Sequence, residues 1–184
     1  AGIDATGNVV QGNLIGTDAT GMAELGNTRD GVTLTTGAYN NTVGGAETGA
    51  RNIISGNDAY GVSITPFNEL AAGNRVQGNY IGRDISGEGA LGNDNSGVRV
   101  DGVENLIGGT VAGAGNVISA NNNAGISISF GSDTIVQGNL IGTNASGTSV
   151  VGASSESLGN VFEGIIVSSP GSGNLIGGAE PGAR

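Results

Sequence analysis

The sequence contains no cysteine, histidine, tryptophan or lysine, and only one Met, three Pro, three Phe and three Tyr. Each absence removes a class of chemistry. Without His or Cys, the common zinc, haem and iron–sulfur sites have no ligands. Ser-His-Asp and Cys-His nucleophile systems go with them, as does a Schiff-base lysine. Six Arg stand against 16 acidic residues, for a formal charge of −10. A chain so acidic, with its few cations scattered, is a poor phosphate binder, so nucleic acid is excluded as a partner. No apolar run approaches the length of about 20 residues that spans a bilayer, so no membrane insertion is expected. The chain starts at Ala1 without a visible signal peptide and reads as a processed piece.

What is abundant is glycine, 38 of 184 residues, about three times ordinary usage. Disorder does not follow, because 36% of residues are hydrophobic and Val, Ile and Leu fall in regular short runs. Collagen is excluded because Gly has no period of three. The regularity is a repeat. Asn8-Val-Val-Gln-Gly-Asn-Leu-Ile-Gly-Thr-Asp18 returns as Asn74–Asp84 and as Thr134–Asn144. A second unit, Asn41-Thr-Val-Gly-Gly-Ala-Glu-Thr-Gly-Ala-Arg51, returns as Asn105–Gly115 and as Asn174–Arg184. A third, Gly-apolar-x-apolar, begins at Gly31, Gly61, Gly97, Gly125 and Gly164.

These units resolve into coils of three short strands. The first strand alternates apolar and polar residues, as in Gly31-Val-Thr-Leu34 and Gly97-Val-Arg-Val100, so one face is buried. The second centres on Val10, Val43, Val76, Ile107, Val136 and Ile176, and the third on pairs such as Leu14-Ile15 and Ile53-Ile54. An Asn lies four residues before every first-strand Gly, whereas the distance from the third-strand Ile to that Asn is 3, 12 or 19 residues. The distance from the second strand to the third-strand Asn alternates between 3 and 9. Strands therefore keep register while insertions alternate between two corners. The expected fold is all-β, a parallel β-helix of five to six coils. Like side chains stack about 4.8 Å apart in such a fold. Two Asn columns are expected to form amide ladders inside the corners. One is Asn13, Asn52, Asn79, Asn116 and Asn139; the other is Asn27, Asn57, Asn93, Asn121 and Asn160. Helices are excluded by the density of Gly and β-branched residues. Residues 1–184 read as a single uncapped solenoid segment, an excerpt of a longer solenoid or a unit that stacks end to end.

The motifs at Gly12–Asp18, Asn105–Gly109 and Asn52–Asn57, with their copies, resemble the right-handed parallel β-helix repeat proteins of the pectate-lyase-like superfamily. The resemblance covers nearly the whole chain. It implies the fold, and a setting in long bacterial secreted or surface proteins. Function stays open, because such relatives include lyases, epimerases, hydrolases, adhesins and repeat stalks.

Three candidate sites follow from the columns. The outward first-strand positions read Thr33, Ser63, Arg99, Ser127, Ile166 and Thr35, Thr65, Asp101, Ser129, Ser168. Arg99 and Asp101 are the charged pair there, able to contact a ligand or each other. Asp58 and Asp94 each follow a corner Asn in adjacent coils and are candidate Ca²⁺ ligands; no other cofactor is expected. Asp18, Asp84 and Asn144 open the insertion loops as turn residues. The leading functional expectation is a rigid repeat segment of an extracellular or cell-surface fibre, stalk or adhesin, with neighbouring copies as end-to-end partners. The alternative is a carbohydrate-binding or carbohydrate-processing β-helix, with polysaccharide as partner and active residues partly outside this piece.

Overall fold

The structure, a computed structural model, describes residues 4–47, 49–67 and 70–184; Thr48 of the second repeat unit lies outside them. Among these residues there is no helix, and every strand pairing is parallel. The chain winds as a right-handed parallel β-helix with three main sheets. The first sheet stacks β4 (Val32–Leu34), β8 (Val62–Ile64), β11 (Val98–Val100), β14 (Ile126–Ile128) and β17 (Ile165–Val167). The second stacks β2 (Val9–Val10), β6 (Thr42–Gly44), β9 (Arg75–Gln77), β12 (Leu106–Gly108), β15 (Ile135–Gln137) and β18 (Leu175–Ile176). The third stacks β3 (Leu14–Ile15), β7 (Ile53–Ile54), β10 (Tyr80–Ile81), β13 (Val117–Ile118) and β16 (Leu140–Ile141). The register is the one the repeats require, with Val32 beside Val62, Val62 beside Val98 and Val98 beside Ile126.

A short fourth ladder has no signature of its own in the repeats. β1 (Ala5–Thr6) pairs with β5 (Ala38–Tyr39), and single bridges continue the line through Ala72, Val103 and Ser132. These residues follow the first strand, where the sequence reads as plain corner. They line up because Thr6, Tyr39, Ala72, Val103 and Ser132 each stand two places before Asn8, Asn41, Asn74, Asn105 and Thr134 of one corner column, so the register of that column extends back to them.

The interior is a set of aliphatic ladders. Val62, Ile64, Val98, Val100, Ile126 and Ile128 of the first sheet meet Val43, Val76 and Ile107 of the second and Ile54, Ile81 and Ile118 of the third, all with no solvent exposure. Burial of each such side chain contributes about 1.5–3 kcal/mol.

The corners hold the polar part. Among the described residues eleven Asn-to-Asn rungs run along the axis, each with Nδ2 donating to the Oδ1 of the next coil's Asn at 2.8–3.1 Å. Both expected columns form over their whole length. The first runs from Asn13 through Asn52, Asn79 and Asn116 to Asn139. The second runs from Asn27 through Asn57, Asn93 and Asn121 to Asn160. Enclosure is uneven along the second. Asn121 is fully buried, and its Nδ2 reaches Asn160 Oδ1 at 3.0 Å. Asn160 is only half-buried; its own Nδ2 turns back to Ile118 O at 3.1 Å. A third column, Asn8, Asn41, Asn74 and Asn105, stands at the remaining corner. Thr134 takes the next place in it, ahead of Asn174.

Corner glycines let this packing happen. Gly82 has φ +85°, and a Cβ there would drive into the carbonyl oxygen of Ser119 one coil on. A side chain at that position is therefore barred twice, by backbone conformation and by space.

The insertions do not hang free. Ile85 N donates to Gly21 O (3.0 Å), and Ala145 N donates to Gly87 O (3.1 Å), so loops from alternate coils stack on one another. They form an outer layer against the solvent side of the third sheet. There Ile53, Tyr80 and Val117 are buried as a small second cluster, joined by Leu140 and Ala145.

Candidate functional site

The outward face of the first sheet carries the densest set of unlike polar groups. Alternation along each strand sends Val98 and Val100 inward and leaves Arg99 and Asp101 outward. Arg99 Nη2 lies 2.6 Å from Asp101 Oδ2, and Nε donates to the same oxygen at 2.9 Å. Both bonds converge on Oδ2. The other oxygen, Oδ1, is buried and has no hydrogen-bond partner among the described residues. The Asp101 side chain is 6% exposed and that of Arg99 31%.

Tyr60, one coil below, completes the cluster. Its ring lies under the Arg99 guanidinium, 5.3 Å from centroid to Cζ, and its hydroxyl is 3.5 Å from Arg99 Nη1. Tyr60 is itself held from the coil beneath, where Asp30 Oδ1 accepts from Tyr60 N (3.2 Å). Asp30 Oδ2 accepts from the Thr33 hydroxyl (3.0 Å). Around the pair run hydroxyls in rows. Ser63 Oγ and Thr65 Oγ1 are 2.7 Å apart, and Ser127 Oγ and Ser129 Oγ are 3.5 Å apart. Phe67 and Phe130 follow the first strands of two coils and are 84% and 60% exposed. Burial disfavours the charge on Arg99 but is outweighed by the hydrogen bond and charge of Asp101, so its pKa lies above the ordinary guanidinium value. Arg99 is thus a fixed cation and cannot act as a base.

Sequence reasoning places Arg99 and Asp101 together and misses Tyr60 and Asp30. The available signal is positional, since both immediately precede the first-strand Gly, in the same column one coil apart.

The other expected residues fall as follows. Asp58 N donates to Asn27 O and Asp94 N to Asn57 O, so the two Asp occupy equivalent places on adjacent coils, both exposed. Asp94 Oδ1 already accepts from Asn122 Nδ2 (2.9 Å). Among the described residues, no three His, Cys, Asp or Glu come together. The Asp pair offers few of the roughly six to eight oxygens that Ca²⁺ takes. Asp18 caps its own turn, accepting from Thr20 Oγ1 and from the amides of Met22 and Ala23. Asp84 Oδ1 accepts likewise from Ser86 Oγ (2.6 Å). Asn144 caps the third loop through Thr148 N and Ser149 N.

A second concavity lies on another face. Arg51 stacks over Tyr80 at 4.0 Å, between two clefts of about 350 Å³ each. One is walled by glycine backbone at Gly45, Gly78 and Gly113, the other by Leu14, Ile53 and Ile85. Among the described residues neither cleft has a buried polar side chain left without a partner.

No family model matches the chain. No curated protein matches it either. Among solved structures it is similar to the periplasmic alginate epimerase AlgG, in the crystal structure of a double mutant, with a TM-score of 0.50 and 16% identity. The match covers 79% of this chain and 35% of the epimerase chain, so this chain spans about a third of that protein's length. At this identity the likeness carries the fold and not the activity. With the three parallel sheets and their register, it shows the fold of the chain, a right-handed parallel β-helix.

Proposed function

We propose that this β-helix is a carbohydrate-binding segment, with the outward face of the first sheet as its contact surface. The observation that carries the reading is the Tyr60–Arg99–Asp101 cluster, set among rows of Ser and Thr hydroxyls, with the exposed rings of Phe67 and Phe130 following the first strands of two coils. Sugars present hydroxyls that donate and accept, and C–H faces that pack on aromatic rings. A rigid sheet holding both kinds of partner suits them, because little ordering is needed on binding. The likeness to an alginate epimerase agrees with this reading at the level of the fold. Binding rather than cleavage is proposed, because Arg99 and Asp101 of the cluster are paired with each other, which leaves neither free as a base.

The test is retention on a panel of immobilised polysaccharides. Wild-type protein should be retained by at least one. The Tyr60→Ala and Phe130→Ala variants should elute earlier with unchanged far-UV circular dichroism. Retention by none, or retention indifferent to both substitutions, defeats the proposal.

A second reading, that the segment stacks end to end within a secreted or cell-surface fibre, is favoured by one observation. Each main sheet repeats one parallel pairing in register from coil to coil, a pattern that a coil of another copy can continue. Negative-stain imaging decides it: filaments support it, and dispersed compact particles oppose it.

A further inference from the structure

The chemistry of the first-sheet cluster narrows the ligand, on the reading that this face binds carbohydrate. The buried unsatisfied group is an acceptor, Asp101 Oδ1. It calls for a hydrogen-bond donor, which a sugar hydroxyl supplies. An ionised carboxylate has no proton to give and meets Asp101 as a like charge. The one cation of the outward columns is not free to answer an acid. Arg99 places both Nε and Nη2 on Asp101 Oδ2, so the pair is neutral as a unit. What remains available is Nη1, 3.5 Å from the Tyr60 hydroxyl, a donor suited to a neutral oxygen. The outward columns add only Thr, Ser and Ile, and the chain as a whole carries −10. A polymer with a carboxylate on each sugar approaches against that field.

From these observations we infer that the site takes a neutral, hydroxyl-rich glycan and rejects polyuronates. In the bound state a sugar hydroxyl donates to Asp101 Oδ1 and a neighbouring sugar oxygen accepts from Arg99 Nη1. Entry requires the Arg99 side chain, the more exposed member of the pair, to pivot about Asp101 Oδ2, keeping that bond while it uncovers Oδ1.

The experiment is affinity electrophoresis of the whole chain through gels holding a neutral glucan, a neutral mannan or polygalacturonate, at low and at physiological salt. Expected are retardation by a neutral polymer, none by polygalacturonate, and weakening by about tenfold or more in Asp101→Ala. Asp101→Asn keeps the shape but uncovers the Arg99 charge. It should gain retardation in polygalacturonate that salt removes. Retardation of wild type by polygalacturonate, lost in Arg99→Ala, overturns the neutral-ligand inference and leaves the carbohydrate reading standing. Retardation by a neutral polymer that Asp101→Ala leaves unchanged, with its dichroism intact, overturns the assignment of this cluster. Retardation by no polymer of either class overturns the carbohydrate reading itself.

Discussion

Replacing Asn79 by alanine tests the corner ladder where it is most enclosed. Asn79 is fully buried, and both its amide nitrogen and its amide oxygen are engaged. Its Nδ2 donates to Asn116 Oδ1 (3.0 Å) and to Val43 O (2.9 Å). Its Oδ1 accepts from Asn52 N (3.2 Å) and Asn52 Nδ2 (2.9 Å). Alanine leaves the Asn52 backbone N–H with no acceptor, and leaves Val43 O and Asn116 Oδ1 one donor short. A buried unsatisfied donor costs about 1–3 kcal/mol and a lost ordinary hydrogen bond about 1 kcal/mol, so the total is about 3–5 kcal/mol. Asn13, in the same column, lies exposed on the first coil, where water replaces the lost partners. Asn13→Ala should therefore cost about 1 kcal/mol or less. Asn79→Asp should be worse than Asn79→Ala, although it is nearly isosteric. It turns an oxygen towards Asn116 Oδ1 and Val43 O and buries a charge. The assay is urea unfolding followed by far-UV circular dichroism, with midpoints and slopes compared across the three variants. An Asn79→Ala cost within about 1 kcal/mol of Asn13→Ala would refute the ladder as a main source of stability.

Three further outcomes follow from the same geometry. Thr134 occupies an Asn position and its buried hydroxyl has no partner among the described residues, so Thr134→Asn should complete the third column and stabilise by about 1–2 kcal/mol, read as a rise in the thermal midpoint. The Arg99–Asp101 pair should respond asymmetrically. Arg99→Ala leaves a carboxylate that is 6% exposed without its cation and costs about 2–3 kcal/mol, a value reduced from that of fully buried pairs because Arg99 is partly solvated. Asp101→Ser leaves a guanidinium that can turn to water and costs about 1 kcal/mol or less in the same unfolding assay. Glu156 has its pKa held below the ordinary 4.5, first by its own backbone amide and then by Ala90 N, at 3.0 Å from Oε1. A lowered folded-state pKa means the bond's contribution is complete above the unfolded value and is lost as pH falls through the folded one. Protection of the Ala90 amide, its exchange taken relative to the intrinsic rate at each pH, should therefore fall only on acidification below about pH 4.5, and Glu156→Gln should remove that pH dependence.

The parts of the fold that repeat in sequence are legible there, and the parts that depend on contact between unlike residues are not. Val32, Val62 and Val98 can be set side by side because a constant offset from Asn27, Asn57 and Asn93 fixes their register. The same offset carries the column on to Asn121 and Asn160, although the loop between them is the longest of the set. The third Asn column is present in the same repeats, at Asn8, Asn41, Asn74 and Asn105, and the amide ladder there follows from the same logic as the other two. The stacking of alternate loops is hidden, since a coil without an insertion at that corner lies between each pair, and repeat copies such as Asp18, Asp84 and Asn144 do not record that the loops reach past it. Burial of Arg83 beneath those loops is equally hidden. In sequence it is one more loop residue, whereas its Nη2 donates to Gly87 O and its Nε and Nη1 find no partner among the described residues. Burial lowers its pKa against the raising influence of Asp84, Glu88 and Glu156. At the candidate site, alternation along β11 is enough to join Arg99 with Asp101. Tyr60 reaches them across a coil through side-chain placement; its position before Gly61 gives its column but not that contact.

The ladder also has a direction, and this bears on where the rod is weakest. In the Asn rungs the backbone N and Nδ2 of one coil donate to Oδ1 of the next coil towards the C-terminus, as from Asn41 to Asn74 and from Asn74 to Asn105. A residue without Oδ1 therefore removes acceptors from the coil before it, rather than weakening both sides equally. Thr134 is such a residue. It donates its own N–H onward to Asn174 Oδ1, but offers Asn105 no amide oxygen. In a solenoid whose stability is a sum of neighbour terms, the interface between the coils of Asn105 and Thr134 is the weak one along this corner. Native-state hydrogen exchange should show amides bonded across that interface, such as Ile135 N bonded to Asn105 O, opening at lower free energy than Arg75 N bonded to Asn41 O. Thr134→Asn should close that gap. The first-sheet face borders this weak point. The coil of Tyr60 is joined to that of Arg99 and Asp101 by three Asn rungs, whereas Asn105, four residues beyond Asp101, faces Thr134.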